Sequence, residues 1–125
     1  MDPARDAVAA RARVLVVGAD EALIGLLEEW LDARGWRVAA SHGPGGGSFD
    51  VIVVDLPFPR QDGIHRLRRI SEHHPGTPLI ALSSNFFAGV DAAGAVAKAL
   101  GVARVLPKPV TQEALLRAVD SLLAQ

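Results

Sequence analysis

Four β-branched residues in succession, Val51-Ile52-Val53-Val54, run into Asp55 and are closed off by Pro57 and Pro59. An apolar run without polar alternation suits a strand covered on both faces, and prolines, lacking an N–H, cannot extend its ladder. The run therefore reads as a buried strand that carries Asp55 to its C-terminal tip. Such a strand needs parallel neighbours joined by helical crossovers. Val14 to Val17, Trp36 to Ala40, Leu79 to Leu82 and Val102 to Leu106 supply further strands. Between the first two, Leu23, Leu26, Leu27, Trp30 and Leu31 fall on one helical face, with Glu28, Glu29 and Asp32 outside and Gly35 as a stop. Ile64, Leu67 and Ile70 after Gly63 predict a second helix, and Val90, Ala93, Ala97 and Leu100 before Gly101 predict another. Leu115, Val119, Leu122 and Leu123, after an N-cap at Thr111, predict the last. Strands alternating with helices imply an α/β fold with a doubly wound parallel sheet.

The chain has 125 residues and is 50% hydrophobic, enough for one compact domain. We expect residues 1–12, Ala-rich and charged without a clean period, to form a flexible N-terminal tail, and residues 13–125 to form the domain. Thirteen basic residues against 14 acidic ones give no general pull toward nucleic acid or an acidic membrane. No apolar block suits a signal peptide, and no run approaches the roughly 20 residues of a membrane span. The expectation is a cytoplasmic protein that contacts neither membrane nor nucleic acid directly. With no cysteine, a disulfide framework and a thiolate metal site are both excluded.

In an open α/β sheet the ligand crevice lies at the C-terminal ends of the strands. There the sequence places Asp20 just past the first strand, Asp55 at the third, Ser83 at the fourth and Lys108 at the fifth. A carboxylate, a hydroxyl and an ammonium form a phosphoryl-handling set, with the acid as nucleophile and the other two holding phosphoryl oxygens.

These motifs resemble those of the receiver domains of bacterial two-component response regulators, and the likeness runs from Arg13 to Leu123. Val51 to Gly63 fits the third-strand motif without a gap, putting Asp55 at the phosphoacceptor position, Pro59 at the loop proline and Asp62-Gly63 at the following Asp-Gly pair. Leu79 to Ser84 puts Ser83 at the Ser/Thr that contacts the phosphoryl group. Gly101 to Val110 puts Lys108 at the site lysine, whose following peptide bond, here to Pro109, is usually cis in that family. The resemblance implies a flavodoxin-like, five-stranded sheet of order 2-1-3-4-5. It also implies Mg2+ as cofactor, and as partners a histidine kinase or a downstream effector. The interaction face would be the fourth helix, fifth strand and fifth helix, here Val90 to Leu100, Val102 to Leu106 and the segment after Thr111; self-association as a homodimer is a further partner option.

Several positions depart from the pattern. The acidic pair that serves the metal falls on Gly18 and Ala19, and Asp20 comes one place late. A metal site reduced to Asp55 and the Pro57 carbonyl, with Asp20 as a substitute ligand, should hold Mg2+ poorly, because that ion demands near-octahedral oxygen geometry. Restoring aspartates at 18 and 19 is expected to restore metal binding if the site is otherwise intact. Val105 stands where the family carries an aromatic switch, and the chain has no tyrosine. Only about eight residues, His42 to Phe49, link the second and third strands, a reach of roughly 27 Å, so the second crossover helix is short or missing and one sheet face is expected to be less covered.

Two readings stand at most of these positions. Asp55 is either a phosphoacceptor or a buried carboxylate fixed by Lys108. Asp20 is either the N-cap of the first helix or a ligand that swings inward, and Ser83 is either a phosphate contact or a satisfied strand-end hydroxyl. Arg66, Arg68 and Arg69 form a solvated helix face or a patch for an acidic partner. The function expected is a pseudo-receiver in phosphorelay signal transduction that acts by protein contacts, with phosphorylation of Asp55 weak or absent and at most autocatalytic. The alternatives are a working phosphoacceptor and a small-molecule-binding module.

Overall fold

In a computed structural model the described residues are 12–41, 46–56, 61–83 (without the side chains of 61–63), 97–98 and 101–124. Residues 1–11 of the expected tail, the Pro57 carbonyl, Pro59 and Ser84 lie outside them, while Ala12, the tail's last residue, is buried in the core and its carbonyl accepts from the Arg37 N–H at 2.8 Å. Of the helix expected from Val90 to Leu100, only Ala97 and Lys98 are described, and both are helical.

Five strands, β1 (Arg13–Val17), β2 (Arg37–Ser41), β3 (Val51–Leu56), β4 (Leu79–Ser83) and β5 (Arg104–Pro107), form one parallel sheet in the order β2-β1-β3-β4-β5. Among the described residues three full helices accompany them: α1 (Glu21–Asp32), α2 (Gln61–His73) and α3 (Gln112–Leu123). The flavodoxin-like architecture expected of the sequence is thus present. β3 is central and every one of its residues is buried. Its side chains alternate between two cores. Val51 and Val53 join Leu27 and Leu31 of α1 and Leu115, Val119 and Leu122 of α3 on one face. Ile52, Val54 and Leu56 join Leu67 and Ile70 of α2, Ala97, Val102 and Val105 on the other. This two-sided burial is why the run shows no polar alternation.

Boundaries differ from expectation by local chemistry. β2 begins at Arg37, because Trp36 is buried in the first core beneath the Arg34 guanidinium, 4.9 Å from the ring centroid. α2 begins at Gln61 and carries Gly63 inside it. Leu26, expected on the apolar face of α1, is 39% exposed, since the stripe is centred on Leu27 and Leu31. Gly35 has φ +80, a conformation that suits glycine after a helix.

The chain passes from β2 to β3 with no helix among the described residues. Phe49 takes part of a helix's place: it packs against the second core and meets the His74 ring edge-on at 5.9 Å, with Arg13 4.9 Å over its own ring. Asp50 pins this return, accepting from the Arg13 N–H through Oδ2 at 2.8 Å while its own N–H donates to the Arg13 carbonyl at 2.8 Å. Among the described residues the less covered apolar face expected here does not occur. Leu15 and Val17 are buried, and on that side β2 presents Ala39 and Ser41, small residues in register with them. The large hydrophobics exposed among the described residues, Leu26 and Ile64, lie on α1 and α2 instead.

Candidate functional site

The sheet register brings the expected residues to one edge. Asp55 pairs with Leu82, Leu56 with Ser83, and Ser83 with Pro107, so Ser83 stands one step beyond Asp55 and Lys108 follows directly past β5. The Lys108 N–H donates to the Ser83 carbonyl at 3.0 Å, tying the lysine backbone to the end of β4. The Lys108-Pro109 peptide is cis, as the resemblance implied.

Asp55 is 7% exposed and Ser83 3%. Lys108 Nζ lies 2.8 Å from Asp55 Oδ1. That contact is a close ion pair, and beyond it buried Oδ1 has no hydrogen-bond partner among the described residues. The distance establishes the charge pairing. A buried oxygen of this kind is costly unless charge compensates it or a ligand donates to it.

The metal end of the site is built differently. Gly18 follows β1 with φ +78, and its N–H donates to the Ser41 carbonyl at 2.9 Å. A Cβ placed on Gly18 would lie 2.6 Å from Arg66 Nη1 and 3.4 Å from the Asp55 backbone oxygen. The space a carboxylate side chain would enter is therefore held by a guanidinium. Ala19 is 3% exposed and belongs to the first apolar core. Asp20 is exposed and caps α1, its Oδ1 accepting from the Leu23 N–H at 2.8 Å. No group of three or more metal-ligating side chains occurs among the described residues. Among the described residues, one carboxylate paired with Lys108 and a guanidinium at Gly18 do not fit a magnesium site, which requires several anionic or neutral oxygens around the ion.

The capping role makes a test at Asp20. Asp20→Ala should lower the free energy of unfolding by about 1 kcal/mol in urea titrations, while Asp20→Asn, also a strong N-cap, should leave it nearly unchanged. Equal losses from both would mean that the charge, and not the cap, is what matters there.

Sequence reasoning missed Arg66 as part of this edge and grouped it with Arg68 and Arg69. The available signal was the glycine at the tip of β1, which leaves room for a side chain from another element. Which arginine fills that room depends on how α2 packs on the sheet. Val105, at the position of the family's aromatic switch, is buried in the second core as a plain aliphatic contact.

The profile of the response regulator receiver domain matches residues 14–120. Among curated proteins, the transcriptional regulatory protein GlrR of Escherichia coli (strain K12) is 30% identical over 121 residues, covering 91% of this chain and 27% of that protein. A protein-glutamate methylesterase/protein-glutamine glutaminase of Cereibacter sphaeroides is 33% identical over 125 residues, covering 95% of this chain and 32% of that protein. The chain thus spans under a third of the length of these relatives. Among solved structures, the receiver domain of the Francisella response regulator 1452 superposes with a TM-score of 0.73 at 22% identity, covering 91% of this chain and 98% of that one. Sheet order, the Asp55–Lys108 pair, the cis peptide after Lys108 and the profile match agree, and the chain belongs to the response regulator receiver domain family.

Proposed function

We propose that this domain acts in two-component or phosphorelay signal transduction as a pseudo-receiver, working through protein contacts with phosphorylation of Asp55 weak or absent. The observation that carries the reading is the cationic site: Lys108 holds Asp55, and Arg66 lies where a carboxylate side chain at position 18 would enter. Phosphoryl transfer to a carboxylate depends on positioning and on neutralising the charge of the transferred group. Without a divalent ion to fix that group against Asp55, acceptance is slow and the Asp55–Lys108 pair is the resting state. The partners are a histidine kinase or a downstream effector, met on the surface of β5, α3 and the segment before them. A cytoplasmic location fits this role, and among the described residues no helix is long and apolar enough to cross a membrane.

One observation favours the working phosphoacceptor. Apart from the Lys108 ion pair, Asp55 Oδ1 is engaged by no donor among the described residues, as suits a nucleophile. Incubation with a small acyl phosphate and Mg2+, followed by intact-mass analysis, separates the two. The pseudo-receiver shows no stable adduct. A stoichiometric phosphoryl adduct that disappears in Asp55→Asn overturns the proposal in favour of the phosphoacceptor.

A further inference from the structure

Arg66 has no task in the receiver reading. Among the described residues the ion pairs join Arg34 to Asp120, Lys108 to Asp55 and Arg117 to Glu113, and Arg66 belongs to none of them. Its guanidinium nonetheless lies down along the sheet edge, with Nη1 2.6 Å and Cζ 3.6 Å from the point that a Gly18 Cβ would take. That same point is 3.4 Å from the Asp55 backbone oxygen, so the charge sits between the tips of β1 and β3. Lys108 approaches Asp55 from the β5 side. Among the described residues this edge brings two cations to one buried carboxylate.

We propose that Arg66 and Lys108 bind a small tetrahedral oxyanion of the phosphate class at this edge without a divalent cation, Arg66 taking the place of the metal. A guanidinium presents five N–H donors in a planar fork that matches phosphate oxygens, and it stays charged at every accessible pH. Lys108 supplies a second, partly exposed ammonium, with 28% of its side chain open to solvent. Gly18 is the permissive residue, since any side chain there would displace the guanidinium. Asp55 opposes the anion, so the binding is reversible and modest. The proposal goes beyond the pseudo-receiver reading, because it concerns a non-covalent ligand and holds whether or not Asp55 is ever modified.

The test titrates inorganic phosphate into the full chain in the presence of a chelator and follows backbone amides by NMR. Saturable shifts centred on Gly18, Asp55, Ser83 and Lys108 are expected. Arg66→Ala should weaken binding about tenfold or more, as loss of a charge-assisted contact does. Arg66→Lys should recover part of that loss. Arg68→Ala should change nothing, since Arg68 lines a different groove with Ile64, Leu67 and Ser71. Asp55→Asn should tighten binding several-fold by removing the opposing charge, whereas a covalent acceptor would lose its response. Absence of saturation, saturation only after Mg2+ is added, or equal weakening by Arg66→Ala and Arg68→Ala would each overturn the proposal. Phosphate binding leaves the protein mass unchanged, so failure here is distinct from the appearance of an Asp55 adduct, which tests the pseudo-receiver reading.

Discussion

Lys108→Ala lowers the free energy of unfolding by about 2–4 kcal/mol, the range for a buried carboxylate left without its partner, reduced somewhat because the lysine is partly exposed. Only 9% of the Asp55 side chain reaches solvent, and Lys108 at 2.8 Å is its sole ionic partner among the described residues. Water cannot take over the lysine's role fully at that depth. The same substitution in an Asp55→Asn background costs under about 1 kcal/mol, because no buried charge is stranded. Urea unfolding of the wild type, both single variants and the double variant gives the coupling directly. A similar loss in both backgrounds would mean that Lys108 contributes packing at the turn after β5 and that the ion pair adds little.

This pair also shows why much of the site was legible in the sequence. Asp55 and Lys108 both follow apolar runs, and in a parallel sheet the ends of such runs meet at one edge whatever the loops do. Period and β-branching placed five strands and three of the helices to within a few residues, with Asp20 and Thr111 marking two helix starts. Errors arose where an apolar residue serves a helix end or a lead-in to a strand. Trp36 reads as strand and is instead a core plug before β2; Val102 reads as strand and is a core contact before β5. The shortened crossover was visible from chain length alone, but its consequence was not. Covering the sheet there depends on Phe49 and on the small side chains of Ala39 and Ser41, a matter of size at register positions that a hydrophobic pattern does not record. Arg66 was illegible for a related reason. Its reach across to Gly18 follows from the rotation of α2 on the sheet, which no local period encodes.

Arg66 changes what restoring the acidic pair should achieve. Gly18→Asp with Ala19→Asp gains no magnesium binding by itself. An aspartate at 18 would sit at positive φ, a conformation that costs an L-residue about 1–2 kcal/mol, and would meet the Arg66 guanidinium before any ion. At 19 a carboxylate enters a buried apolar setting, with a destabilisation of roughly 3 kcal/mol unless it finds a counter-charge. The double variant should therefore melt well below the wild type, with a melting temperature that Mg2+ does not move. Adding Arg66→Ala clears the space at 18 and removes the competing cation, leaving the carboxylates at 18 and 55 on the same edge. Only this triple variant should be stabilised by Mg2+ in a concentration-dependent way, since a ligand that binds the native state alone raises its stability by mass action. Thermal melts of the double and triple variants across a magnesium series read the difference. Equal stabilisation of both by Mg2+ would show that Arg66 does not occupy the metal's place, and would remove the physical basis for a cation-built site at the tip of β3.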